Sequence, residues 1–137
     1  GLPIMKPPYG RIVAIDLTTG EHVWMVPNGD GPREHPALQD LDLPPLGQPS
    51  HNMPLVTKTL LFVSHGDPIM AGRPAGGGTD TQLRAYDKAT GALVSSLELP
   101  AGTTGAIMTY MHRGTQYIVA PIGSTDHEPE FIALSVP

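Results

Sequence analysis

The segment "AIDLTTGEHVWMVP" (14–27) returns as "AYDKATGALVSSLELP" (85–100), with Ala14 on Ala85, Asp16 on Asp87, Thr19 on Thr90 and Gly20 on Gly91, each offset by 71 residues. "MPLVTKTLLFVSHG" (53–66) likewise returns as "MTYMHRGTQYIVAPIG" (108–123), with a turn two residues longer. "GLPIM" (1–5) matches "GDPIM" (66–70) at an offset of 65, so the second copy carries six extra residues, which fit "AGRPAGGGTDTQ" (71–82). "FIALS" (131–135) repeats "VAID" (13–16) once more, with Ser135 at the Asp position. A chain that repeats one supersecondary unit cannot bury each unit's apolar face alone, and stacking the copies buries them together.

The repeated unit reads as strands. "TLLFVSH" and "QYIVAPI" are unbroken apolar runs rich in β-branched residues, the pattern of strands covered on both faces. "LVSSLEL" alternates, which predicts a strand with one wetter side. "DLTTG" suits a tight hairpin: the Asp carboxylate can accept from turn amides, and Gly can take the positive-φ position. Only "HPALQDL", with Pro36 at its first position, offers a short helical turn. Sixteen Gly and sixteen Pro punctuate these runs, as an all-β chain requires.

In order, the strands group as two, four and three. "RIVAID" and "EHVWMV" come first. "NMPLVTK", "TLLFVSH", "QLRAYD" and "ALVSSLEL" follow, then "AIMTYMH", "QYIVAPI" and "EFIALSV". Four-stranded antiparallel units in series are the pattern of a β-propeller. The expectation is an all-β fold of antiparallel four-stranded blades forming part of a ring. Residues 1–137 make one partial propeller domain: 1–30 give two outer strands of a blade, 50–100 a complete blade, and 105–137 three strands of the last.

Composition removes several function classes. The formal net charge of −5, with 15% charged residues, argues against nucleic acid or an anionic membrane surface as partner. No apolar run approaches a bilayer span. The absence of cysteine excludes disulfides and zinc–thiolate sites. Position 1 is Gly rather than Met, so the lack of a secretory signal says little about the compartment.

"A-x-D-x-x-T-G-x-x-x-W" (14–24) resembles the tryptophan docking motif of the PQQ-dependent (quinoprotein) dehydrogenases. "KPPYGRIVAIDLTTGE", "LPPLGQP", "PLVTKTLLFV", "LRAYDKATG" and "LPAGTTGAIMTYMHRGTQYIVAPIG" resemble, in order, the C-terminal part of the glucose-dehydrogenase-like branch. The resemblance implies an eight-bladed propeller, with PQQ and calcium near its axis, that oxidises a sugar or alcohol in the periplasm. Electrons would pass to a quinone or cytochrome. It also implies that the ring closes by borrowing its last outer strand from a distant N-terminus, and that the general base and metal ligands lie mainly on earlier blades. This chain would then be inactive alone and bind no cofactor tightly. Its partners would be the remaining blades, and its exposed blade edges would favour self-association. A non-catalytic PQQ-repeat scaffold for protein interaction is the alternative, and a self-contained β-sandwich module a third possibility.

Within that frame, the loops entering innermost strands face the channel mouth. "GQPSHN" (47–52) and "AGTTGA" (101–106) offer Gln48, Ser50, His51, Asn52, Thr103 and Thr104 as hydrogen-bonding partners of a quinone or sugar. Ordinary loop polarity is the competing reading. Asp16 and Asp87 read as turn caps rather than catalytic acids. The six histidines have no paired metal-ligand spacing. "DHEPE" (126–130) reads as a solvated acidic loop, "GRPAGGGTDTQ" as a flexible hairpin insertion, and Met5, Met53, Met70, Met108 and Met111 as core filling. Ala14, Asp16, Gly20 and Trp24, with Ala85, Asp87 and Gly91, form the docking motif. In this reading Trp24 is a peg between blades, seated near Ala85 to Gly91.

Overall fold

In the computed structural model, residues 2–50, 53–65 and 80–135 are described, and they carry nine strands. The chain divides into two compact units, whose described parts are residues 2–50 and residues 53–65 with 80–135.

The first unit is built on one hairpin. Strands β1 (Arg11–Ile15) and β2 (His22–Pro27) pair antiparallel, with Ala14 opposite Trp24, and the register shifts between Ala14 and Ile15. Asp16 closes the connecting turn: its Oδ1 accepts the Thr18 amide at 2.7 Å and its carbonyl accepts the Gly20 amide at 2.7 Å. Gly20 sits at φ +75°, a region that costs any residue with a Cβ about 1–2 kcal/mol.

Beyond β2 the backbone crosses itself. The amides of Leu46, Gly47 and Gln48 donate to the carbonyls of Asp30, Gly29 and Asn28, while Asn28 donates to Gly10. The crossing is close enough to require glycine. A Cβ on Gly47 would lie 2.0 Å from the Gly10 carbonyl oxygen, and one on Gly31 would lie 2.4 Å from that of Gly47. Residues 35–39 make a single turn, in which the Leu38 and Gln39 amides donate to the His35 carbonyl, and it does not extend into a helix.

The second unit holds two antiparallel sheets. In the first, β3 (Leu55–Val56), β4 (Leu60–Ser64), β5 (Gln82–Asp87) and β6 (Leu93–Glu98) lie in chain order. In the second, β7 (Met108–His112), β8 (Thr115–Ile122) and β9 (Glu130–Ser135) do the same. The two-four-three grouping read from the sequence is the one observed, and the all-β antiparallel fold is that of a partial propeller.

The hairpin between β5 and β6 reproduces the one in the first unit. Asp87 Oδ1 accepts from the Ala89 amide, the Thr90 amide and the Thr90 hydroxyl at 2.8–2.9 Å. Gly91 sits at φ +74°, and the register shifts between Ala85 and Tyr86, 71 residues after the bulge of the first copy. In both copies the bulge raises the local twist just before the turn.

A shared core joins the two sheets of this unit. Leu83 from β5 meets Ala120 and Ile122 from β8, and the segment from Leu99 to Ile107 fills the space with Leu99, Ala101 and Ile107. Two expectations fail at the surface. Strand β6 is exposed at every position rather than on one face, because it is an edge strand hydrogen-bonded only to β5, and only at Leu99 does the chain enter the core. Met5, Met53, Met108 and Met111 are 51–76% exposed instead of filling a core, since they precede strands or sit on an uncovered sheet face; Met70 lies outside the described residues.

The crossing in the first unit generates a prediction. Gly47→Ala should destabilise that unit by roughly 3 kcal/mol or more, because the backbone must move and φ +67° must still be held. Gly20→Ala, which meets nothing within 4 Å, should cost only about 1 kcal/mol. Urea unfolding of the two variants measures the difference.

Candidate functional site

Three of the buried polar residues, Ser64, His65 and Arg84, lie at one end of the β4–β5 pair. β4 ends at Ser64 with His65 just beyond it, and β5 begins two residues after Asp80. Two-residue periodicity puts Asp80, Gln82 and Arg84 on one face of the chain entering β5. Leu83 and Ala85 on the other face enter the apolar side. The whole Leu83–Tyr86 stretch is buried, so Arg84 needs a counter-charge.

Asp80 supplies it. Its Oδ2 lies 2.7 Å from Arg84 NH1 and 3.1 Å from His65 Nδ1, and its Oδ1 accepts the Gln82 amide at 3.0 Å. Arg84 NH1 also lies 3.3 Å from His65 Nδ1. His65 is 3% exposed and Arg84 6%. Burial pushes the Asp80 carboxyl up, but the hydrogen bonds from His65, Gln82 and Arg84 together outweigh it and hold the group down at about 2. Asp80 is therefore ionised at neutral pH. A charged acceptor takes the His65 Nδ1 proton in preference to the longer contact with the guanidinium. His65 Nε2 is buried with no hydrogen-bond partner.

A second buried contact stands beside this one in sequence. Ser64 Oγ and Thr103 Oγ1 are 2.7 Å apart, joining the end of β4 to the segment that leads into β7. Thr103 also forms an antiparallel bridge with Ile122.

The residues expected at the channel mouth divide. Thr103 is buried and held by Ser64, whereas Thr104 is exposed and anchored through its amide to the Pro121 carbonyl at 2.9 Å. Gln48 and Ser50 belong to the first unit, where both serve Asn28: its side-chain amide donates to the Gln48 carbonyl at 3.3 Å and to Ser50 Oγ at 3.0 Å. Asn28 Oδ1 is buried without a partner. His51 and Asn52 lie outside the described residues. Asp16 and Asp87 close turns, and both carboxyls are held below their usual range by the Thr18 and Thr90 hydrogen bonds respectively. In "DHEPE", His127 Nε2 lies 2.9 Å from Glu130 Oε1 on an exposed loop. Among the described residues, no group of three or more His, Asp or Glu is gathered to hold a metal.

His65, Asp80, Arg84 and Ser64 were not singled out in the sequence. One signal was available: an arginine inside "QLRAYD", a strand whose neighbours are apolar, with an aspartate four residues earlier. The His65 partnership joins residues on either side of a long insertion, and no local pattern announces it.

Comparison with known proteins then decides the family. Residues 1–118 match the family described as PQQ, glucose/ethanol/alcohol dehydrogenase, β-propeller domain. The chain belongs to the PQQ-dependent dehydrogenase β-propeller family. Similar members include the glycerol dehydrogenase large subunit of Gluconobacter thailandicus, 35% identical over 90% of this chain and 15% of that protein. The quinate/shikimate dehydrogenase (quinone) of Acinetobacter baylyi is 31% identical over 95% of this chain and 15% of its own length. The quinoprotein glucose dehydrogenase of Escherichia coli is 32% identical over 90% of this chain and 14% of its own length. The chain thus spans a small part, 14–17%, of such quinoprotein dehydrogenases. Within the PQQ-domain fold, the Asp80 cluster sits where β4 hands over to β5 in the four-stranded blade.

The ionised Asp80 carries a pH signature. Its carboxyl is lower in the folded chain than the usual 3.8, so its contribution is complete above about pH 4 and is lost as pH falls toward about 2. Asp80→Asn should lower stability at pH 7 by on the order of 2 kcal/mol. The gap between variant and parent should close on acidification through that window. Urea midpoints measured from pH 7 to pH 2 test this.

Proposed function

We propose that this chain forms late blades of a single propeller in a PQQ- and calcium-dependent dehydrogenase that oxidises the CH–OH group of a sugar or other polyhydroxy compound. Electrons pass to a quinone or cytochrome on the periplasmic side. The observation that carries the proposal is the family match over residues 1–118. It is strengthened by relatives whose names specify glycerol, quinate or shikimate, and glucose as substrates.

When bound, PQQ supplies the two-electron acceptor and calcium the Lewis acid. This chain's own contribution is hydrogen bonding rather than net charge. Asp80 pairs with Arg84 and lies 3.1 Å from His65 Nδ1. The cofactor's charges and the metal are then met by blades outside this chain, which leaves the chain inactive by itself. Exposed Val94, Leu97, Met108 and Phe131 on uncovered strands are the surfaces that neighbouring blades, or a second copy of an isolated chain, would cover.

Trp24 is read as a joint between propeller blades rather than as a ligand platform. In the full-length protein, Trp24→Ala should lower stability by about 3 kcal/mol and leave PQQ affinity within twofold. Thermal unfolding and cofactor titration measure the two effects.

The reaction itself is tested in the full-length protein reconstituted with PQQ and calcium. Glycerol, glucose or quinate should support reduction of a quinone-like dye only when PQQ is present. Turnover that is indifferent to PQQ, or absent with every polyol, would overturn the proposal.

A further inference from the structure

Asparagine is a thermolabile residue, and a following glycine makes it more so, because no Cβ shields the next backbone nitrogen. That pair occurs once in the chain, at Asn28–Gly29. The fold places it at the backbone crossing of the first unit, with both residues buried.

We propose that Asn28–Gly29 is a latent deamidation site, guarded by Ser50 and the Gln48 carbonyl and released when the crossing opens. In the reaction the Gly29 backbone nitrogen attacks Asn28 Cγ. An N–C bond forms, the Cγ–Nδ2 bond breaks, and ammonia leaves with the proton of the Gly29 amide, giving a cyclic imide. Water then opens the ring to aspartate or isoaspartate, and nothing is oxidised or reduced.

The folded unit opposes each part of this reaction. Nδ2, the leaving nitrogen, donates to the Gln48 carbonyl at 3.3 Å and to Ser50 Oγ at 3.0 Å, so the side chain is committed to the 48–50 segment. The main chain on both sides is pinned. The Asn28 amide donates to Gly10, the Asn28 carbonyl accepts from Gln48, and the Gly29 carbonyl accepts from Gly47. Bringing Cγ onto the Gly29 nitrogen requires rotation about the backbone bonds that these anchors fix. Asn28 Oδ1 is buried with no hydrogen-bond partner, so negative charge developing on it meets no donor. Asn28 is 9% exposed, which keeps out the water that the second step consumes.

The same contacts make the product incompatible with the crossing. An aspartate at position 28 has no donor for the Gln48 carbonyl, and it sets a carboxylate beside that carbonyl in a buried site. Isoaspartate also lengthens the main chain, at a crossing so tight that a Cβ on Gly47 would lie 2.0 Å from the Gly10 carbonyl oxygen. Deamidation therefore turns a reversible opening into a permanent one.

The test uses the full-length holoprotein incubated at mildly alkaline pH, with and without urea. The tryptic peptide 12–33 holds Asn28 as its only side-chain amide, so its change in mass reports this site alone. Conversion in the folded protein should run at least about tenfold slower than in urea. Ser50→Ala, which removes one of the two acceptors, should speed conversion in the folded protein about fivefold. Gly47→Ala, which forces the crossing apart, should bring conversion close to the unfolded rate. Asn28→Asp, made directly, should lower the protection of the Leu46, Gly47 and Gln48 amides against hydrogen exchange about tenfold at pH 7. Burial beside a carbonyl raises the new carboxyl, so its effect is full above that raised value. The loss of protection should shrink as pH falls toward about 4, where the protonated carboxyl can again donate to the Gln48 carbonyl. Equal conversion with and without urea would overturn the guard, and no conversion in urea would overturn the site itself. The proposal also falls if Ser50→Ala converts at the parent's rate, or if Asn28→Asp keeps the parent's protection.

Discussion

The segment from Leu99 to Ile107 is the constraint on which the larger unit depends. It leaves an exposed edge strand, buries Leu99 and Ala101, and buries Ile107 before entering β7. It adds three buried side chains to the core that Leu83 shares with Ala120 and Ile122, while β6 and much of β7 face outward. The same segment carries Thr103 to Ser64 across 39 residues of sequence. Core and polar contact are therefore fixed together, because one short connection supplies both.

The polar cluster follows from a second constraint, the burial of Arg84. A guanidinium enclosed by a strand pair is tolerable only beside a carboxylate that stays ionised. Asp80 stays ionised because a backbone amide and two side chains donate to it. Arg84 and Asp80 pair, and the His65 ring is oriented by its contact with Asp80. The arrangement resembles a carboxylate–imidazole pair in which the guanidinium removes excess charge. Its outer nitrogen is buried with no hydrogen-bond partner among the described residues.

The comparison between the two copies of the hairpin shows how faithfully a local pattern can be read. Asp16 and Asp87 accept from turn amides in the same manner, Gly20 and Gly91 adopt nearly the same positive φ, and the bulge falls at the same place. All of this depends on atoms within a few residues of one another. Core membership was less legible. The methionines near strand ends look like core by composition, yet they are exposed, because whether a strand face is covered depends on a neighbour that the local pattern does not contain. The loop residues fared similarly: Ser50 and Thr103 are polar positions in comparable loops, yet each is engaged by its own unit, one by Asn28 and the other by Ser64.

By itself the sequence determined the strand order, the grouping into two, four and three, the turn chemistry of the repeated motif and the family. These rest on short-range periodicity and on a repeat that can be aligned by eye. Only the tertiary structure decided which polar residues share a buried site. His65 and Asp80 are fifteen residues apart on either side of a Gly-rich insertion, and Arg84 is a single charge in an apolar strand. Their meeting is set by the antiparallel register of β4 and β5, which places Ser64 opposite Leu83 and so brings the end of one strand to the start of the next. Register is a property of paired backbones, and it exists only once the two strands have found each other.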